Sequence, residues 1–106
     1  MTSPAALSLS ALADPTRQRI VEMLASGALS SGDIAARVAL SPPAISQHLK
    51  TLKTAHLVTV TAEKQKRIYA LDPNGLDEVA AWVARVRAFW NPRLDALEAA
   101  LAGEPS

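Results

Sequence analysis

Apolar positions along the chain recur at helical spacing, switch once to alternation, and then return to helical spacing. Leu7, Leu9, Leu12 and Ala13 predict a short first helix after a loose start over residues 1–6. Asp14-Pro15 joins a capping side chain to a proline, the residue that suits the first helical position. Ile20, Val21 and Leu24 then follow at helical spacing and Gly27 ends the run, which predicts a helix over about 15–26. Ser30, Ser31 and Gly32 form a turn with capping potential, and Ile34, Ala35 and Val38 mark a short helix over about 31–38. After the tight link Ala39-Leu40, Ser41-Pro42 is a second cap-plus-proline start. Ile45, Leu49 and Leu52 follow at i, i+4 and i+7, so a helix over about 42–55 buries one face. Beyond His56 the period changes. Leu57 to Thr61 and Arg67 to Leu71 read as strands around the polar tip Glu63-Lys64-Gln65-Lys66, a β-hairpin. Asp72-Pro73-Asn74-Gly75 breaks the chain. A long helix over about 75–90 is then interrupted at Asn91-Pro92, and Leu94, Leu97 and Leu101 carry an apolar stripe on to about 102.

Two short helices joined by a three- to four-residue turn, followed by a hairpin, describe a winged helix-turn-helix. In that arrangement the first helix braces the second, and the second fits the DNA major groove. With Ile45 set at 0° and about 100° per residue, Leu49 falls near 40° and Leu52 near −20°, so the core face centres near 0°. On the same wheel Ser46 lies at about 100°, Lys50 at 140°, Pro43 at 160° and Gln47 at 200°. That opposite face offers small groups, an amide and a cation, with no bulky apolar side chain. Glutamine pairs with adenine edges, serine with several acceptors, and lysine with guanine or phosphate. Lys64, Lys66 and Arg67 at the hairpin tip suit the flanking phosphate backbone. The plainer reading is an amphipathic helix with a solvated face. It loses ground because both basic features lie beside the same helix-turn-helix.

Charge supports this only once its distribution is seen. The 106 residues carry a formal net charge of +1. Residues 37–67 hold Arg37, Lys50, Lys53, Lys64, Lys66 and Arg67 against Glu63 alone, a net of +5, and both flanks are mildly acidic. A basic middle between acidic ends points to a polyanion on one face, against the alternative of chance clustering on a solvated surface. Composition fits one globular domain over 1–106 with flexible ends at about 1–6 and 103–106: 49% hydrophobic and 20% charged. There is no cysteine, hence no disulfide framework, thiolate zinc site or cysteine nucleophile. No run of about 18 apolar residues is present, so no membrane partner is expected, and with no secretory signal a cytoplasmic location is the default.

The stretch from Ala11 through Asp14-Pro15-Thr16-Arg17, the run Ser41-Pro42-Pro43-Ala44-Ile45-Ser46-Gln47-His48-Leu49-Lys50-Thr51-Leu52, and the hairpin from Leu57-Val58 to Ile68-Tyr69-Ala70-Leu71 together resemble the ArsR/SmtB family of small bacterial winged-helix repressors. The resemblance spans about residues 7–102. It implies a mainly α (α+β) winged helix-turn-helix with a two-stranded wing, a homodimer built on the first and last helices, and operator DNA released by a signal. Position by position, Ser41, Ser46, Gln47 and His48 match the start of the family's recognition helix, and Arg67 with its lysine neighbours matches the wing. Asp14 to Arg17 matches a signature read as a cap and helix start, with a phosphate contact by Arg17 as the alternative.

The departures are equally informative. Metal-sensing members carry a cysteine pair before the recognition helix, where this chain reads Val38-Ala39-Leu40-Ser41. Others carry Asp and His ligands on the last helix, and residues 75–102 hold no histidine. His48 and His56 are separated by about 12 Å along a helix, too far to share one ion within a subunit. The resemblance is therefore to the branch without recognisable cysteine or histidine metal sites. No metal or other cofactor is expected, and the inducer is left open, including an atypical site across a dimer.

The last helical segment presents Trp82, Val83, Val86, Phe89, Trp90, Leu94, Leu97 and Leu101. A monomer of this size would struggle to cover that stripe along with Leu7, Leu9 and Leu12. Pairing two copies buries it, with aromatic anchors. Intramolecular core is the alternative for some of these positions. The expected function is a homodimeric repressor that binds an imperfect palindrome through helix 42–55 and the wing. A protein-interaction winged helix, or a sensor with an atypical metal or ligand site, is the alternative. An enzyme is not expected. No Ser/His/acid spacing of a familiar kind or Gly-rich phosphate loop occurs, and the adjacent Asp77 and Glu78 diverge on a helix.

Overall fold

Helix starts in this chain are written by one dipeptide, a capping side chain followed by proline. A computed structural model describes residues 2–103, apart from the side chains of Asn91 and Leu94. It contains α1 (Pro4–Ala11), α2 (Pro15–Leu24), β1 (Leu29–Ser30), α3 (Ser31–Val38), α4 (Pro42–Thr54), β2 (Val58–Glu63), β3 (Lys66–Leu71) and α5 (Pro73–Ala102). Ser3, Asp14, Ser41 and Asp72 cap α1, α2, α4 and α5, each immediately before a proline. In each case a side-chain oxygen accepts from a backbone N–H that has no intrahelical partner. Ser30 does the same for α3 without a proline.

Three boundaries correct the sequence reading. The loose start over residues 1–6 gives way at Pro4, because Ser3 Oγ accepts from the Ala6 amide at 3.1 Å and closes the first turn. The break read at Asp72-Pro73-Asn74-Gly75 is instead the start of α5, with Asp72 Oδ1 accepting from the Asn74 amide at 3.0 Å. The interruption at Asn91-Pro92 is also absent, since α5 runs through Pro92 as one 30-residue helix. Proline there forgoes one backbone bond to Ala88. The surrounding helix is exposed, so water can take up the carbonyl left over.

The short α3 and the longer α4 are separated by residues 39–41, with Ala39 in the left-handed region (φ 55°) to end α3 sharply. The hairpin pairs Val60 with Tyr69 and Val58 with Leu71. β1 adds a third antiparallel strand on the other side of β3, with Leu29 opposite Tyr69. It is an element the sequence reading did not contain. Ile20, Leu24, Ile34, Ile45, Leu49, Leu52, Leu57 and Val58 form the fully buried centre, drawn from α2, α3, α4 and the root of the hairpin.

α1 enters this core only through Ala11 at its end and is otherwise pinned by small groups. Ala5, Ser8 and Ala11 are its buried residues, and the Ser8 hydroxyl donates to the Ala55 carbonyl at 3.2 Å. α5 docks only by its first turns. Beyond Val79 it runs into solvent, giving a molecule 67 Å in its longest dimension.

Candidate nucleic-acid interface

Burial of Ile45, Leu49 and Leu52 fixes the roll of α4, which leaves Pro43, Ser46, Gln47 and Lys50 exposed on the side the wheel assigns to DNA. Ser41 is also exposed, with its side-chain oxygen engaged as the cap, accepting from the Ala44 amide at 3.4 Å. On the flank nearest the hairpin, Ser46, Lys50 and Lys53 of α4 line one cleft with Arg67, Val60 and Tyr69 of the wing. Three cations from two separate elements therefore surround a single depression. That depression is suited to a phosphate group.

Lys53 is absent from the sequence-derived set. The signal for it was present, because at about 80° on the wheel it continues the Ser46–Lys50 row by i, i+4 and i+7. The wing residues divide. Arg67 joins the helix cleft, whereas Lys64 and Lys66 stand at the tip beside Glu63, with Lys66 paired in register to Glu63. The two-residue turn places Lys64 at φ 58°. A first turn residue with positive φ is what a tight hairpin demands. Gln47 borders a different depression, shared with Lys50, Thr51, Thr54 and Leu7 of α1.

The opposite flank of α4 faces the start of α2. There Asp14 accepts from the Arg17 amide at 3.0 Å. The Arg17 Nε donates to the Ala11 carbonyl at 2.6 Å, and its NH1 lies 3.3 Å from His48 Nδ1. Asp14 Oδ2 is 4.0 Å from the same Nδ1. The Arg17 backbone N–H holds the Asp14 carboxyl below its ordinary value, with the Arg17 guanidinium and His48 adding to the effect against a partial desolvation. Two of the Arg17 donors are thus engaged within the chain. This matches the cap-and-helix-start reading of the Asp14 to Arg17 stretch better than a phosphate contact. His48 is half-buried at the seam between α2 and α4.

Among the residues expected to pair two copies, Trp82, Val83, Val86, Phe89, Trp90, Leu97 and Leu101 are all exposed on α5, and Leu7 and Leu9 are exposed on α1. Leu12 instead packs partly against the domain's own core. The Leu94 side chain lies outside the described residues. Phe89 and Trp90 meet edge to face at 6.1 Å between centroids, and the Arg93 guanidinium sits 4.3 Å over the Phe89 ring. Among the described residues no group of three or more His, Cys, Asp or Glu is arranged to hold a metal ion.

A bracing helix, a second helix with a polar outer face and a hairpin converging on one cationic cleft define a winged helix-turn-helix DNA-binding protein. Comparison with known proteins agrees. The model of the family described as "Bacterial regulatory protein, arsR family" matches residues 14–60. The HTH-type transcriptional regulator Rv2034 of Mycobacterium tuberculosis is 49% identical over 84 residues, which cover 79% of this chain and 76% of that protein. The transcriptional repressor SdpR of Bacillus subtilis is 36% identical over 73 residues, covering 69% of this chain and 81% of that one. A crystal structure of a possible transcriptional regulator for arsenical resistance superposes with a TM-score of 0.70 at 38% identity, over 93% of this chain and 97% of that one. The chain belongs to the ArsR family and is a DNA-binding transcriptional regulator.

Proposed function

We propose that the protein is a homodimeric repressor that occupies an imperfect palindrome in promoter DNA, with α4 in successive major grooves and the hairpins on the flanking backbone. The observation that carries this is the shared cleft of Ser46, Lys50 and Lys53 with Arg67. A helix that reads base edges needs a fixed roll, and a cation from the wing at its flank fixes its register on the phosphates. The two-fold partner is a second copy, joined through the exposed apolar residues of α1 and α5. Cytoplasmic DNA is the expected target, and no catalytic activity is assigned. Repression follows from occupying the promoter.

The test is a gel-shift titration against the DNA flanking the protein's own gene, run at several salt concentrations. Binding to a palindromic fragment that falls steeply with salt supports the reading. Binding that is indifferent to salt and to sequence rejects it.

A further inference from the structure

His48 is the one residue of the expected DNA-contacting set whose side chain is tied to another helix. Its Nδ1 lies 3.3 Å from Arg17 NH1 and 4.0 Å from Asp14 Oδ2. An arginine guanidinium only donates, so a hydrogen bond from NH1 makes Nδ1 its acceptor. In a neutral imidazole the remaining proton then sits on Nε2. Arg17 cannot swing away freely, because its Nε is held on the Ala11 carbonyl at 2.6 Å. Its backbone is also fixed, since its amide donates to Asp14 at 3.0 Å.

We infer that Arg17 is a positioning residue for DNA binding. It holds His48 as the Nε2–H tautomer, so that α4 offers the nucleic acid a hydrogen-bond donor on the flank opposite the wing. The chemistry fits the partner. Phosphate oxygens accept and never donate, so a histidine in the other tautomer would present a lone pair to a lone pair. With the wing cations on one side and this donor on the other, both walls of α4 carry groups of the sign and polarity that a DNA backbone accepts. The arrangement also makes the end of α1, the corner before α2 and the reading helix one hydrogen-bonded unit. This inference rests on α4 being the DNA-reading helix.

Two measurements separate it from that reading. The first needs no DNA. Side-chain 15N–1H correlation spectra of the full chain at pH 8 should show His48 with its proton on Nε2, and Arg17→Leu should mix the tautomers while the helical circular dichroism stays intact. A wild-type His48 protonated on Nδ1 overturns the inference. The second is operator binding. Arg17→Leu should weaken it by about three- to ten-fold, the loss of one hydrogen bond, with the slope of log affinity against log salt unchanged. A slope smaller by about 0.9 per protomer would mean that Arg17 touches phosphate itself and is not a positioning residue. If Arg17→Leu unfolds, the His48 pair decides. His48→Gln places an amide N–H near the former Nε2 and should retain most of the affinity, whereas His48→Asn keeps only the inner acceptor and should lose it. Equal affinity of the two overturns the inference. Failure of the wild-type chain to bind any operator would reject the DNA reading of α4 but leave the tautomer result standing.

Discussion

The Gly75 amide donates to the His56 carbonyl at 2.7 Å, and a Cβ on Gly75 would stand 2.5 Å from that oxygen and 2.8 Å from the Ala55 carbonyl. The first turn of α5 is therefore pressed against the end of α4, where His56 takes up a left-handed conformation (φ 57°). The Ser8 hydroxyl also donates to the Ala55 carbonyl. The end of α4 is thus gripped by α1 and α5 together, the two helices that carry the exposed apolar surface.

Gly75→Ala reverses the usual sign for glycine in a helix. Alanine ordinarily gains about 1 kcal/mol at such a position. Here both close neighbours are backbone carbonyls that cannot rotate aside, so the substitution should cost about 1–3 kcal/mol through forced displacement of α5. Thermal unfolding followed by circular dichroism should show a midpoint lowered by several degrees, on the order of 4–8 °C per kcal/mol. An unchanged or raised midpoint would show that the close approach relaxes without cost.

That same glycine explains why one helix start was hard to read. Four of the five helices begin with a capping residue and a proline, yet only Asp14-Pro15 and Ser41-Pro42 were legible as starts. At Asp72-Pro73 the following Asn74-Gly75 carries the signature of a turn, and the glycine is there for a tertiary contact that no local pattern records. Ser3-Pro4 starts a helix whose buried side is Ala5, Ser8 and Ala11, while Leu7 and Leu9, two of the residues that predicted it, face solvent, so its first turn went unmarked. β1 is two residues long and has no alternation to detect. α4 was legible because its apolar triad fixes its roll. What the wheel could not supply was the hairpin's position, and that is what singles out Lys53 and separates Arg67 from Lys64 and Lys66.

Asp14 should show in the acid limb of stability. Its carboxyl is held below the ordinary 3.8, chiefly by the Arg17 amide. The stabilisation it adds is therefore present in full above the unfolded carboxylate's range and is lost as pH falls through the lower folded value. Asp14→Asn keeps a capping oxygen without the charge. The gap in unfolding midpoint between wild type and Asp14→Asn should be widest near pH 7 and close towards pH 2. A gap that stays constant with pH would mean that the charge contributes nothing.

Lys53 and Gln47 should fail in different ways. Lys53→Gln removes a cation from the α4–wing cleft, so binding to specific and random DNA should weaken together, and the salt slope should fall by about 0.9 for each phosphate left without its cation. Gln47→Ala keeps the charge and removes an amide suited to an adenine edge. It should leave the slope alone and cost about 1–3 kcal/mol of discrimination at one position of each half-site. Fluorescence anisotropy on matched operator and scrambled duplexes reads both quantities. Identical effects of the two substitutions would contradict the assignment of distinct roles.

The distal part of α5 supplies the sharpest test of pairing. Phe89 and Trp90 are 57% and 51% exposed, and Leu97 is 55% exposed. Such large apolar side chains along one exposed helix call for a partner surface, and a second copy of the same helix supplies an equally apolar one. A carboxylate carried into that apolar interface is costly to bury even with Arg93 one helical turn away, so it opposes pairing. Phe89→Glu and Leu97→Glu should each shift the protein from dimer to monomer in light scattering at micromolar concentration. Both positions lie beyond the part of α5 that docks on the domain, so far-ultraviolet circular dichroism should change little. Both tryptophans sit on this helix, and their emission should move to longer wavelength as the dimer separates. Operator affinity should fall steeply in the same variants, because a monomer engages one half-site only. A wild-type chain that is monomeric at those concentrations would reject the pairing, and a Phe89→Glu variant that remains dimeric and binds normally would place the two-fold interface elsewhere.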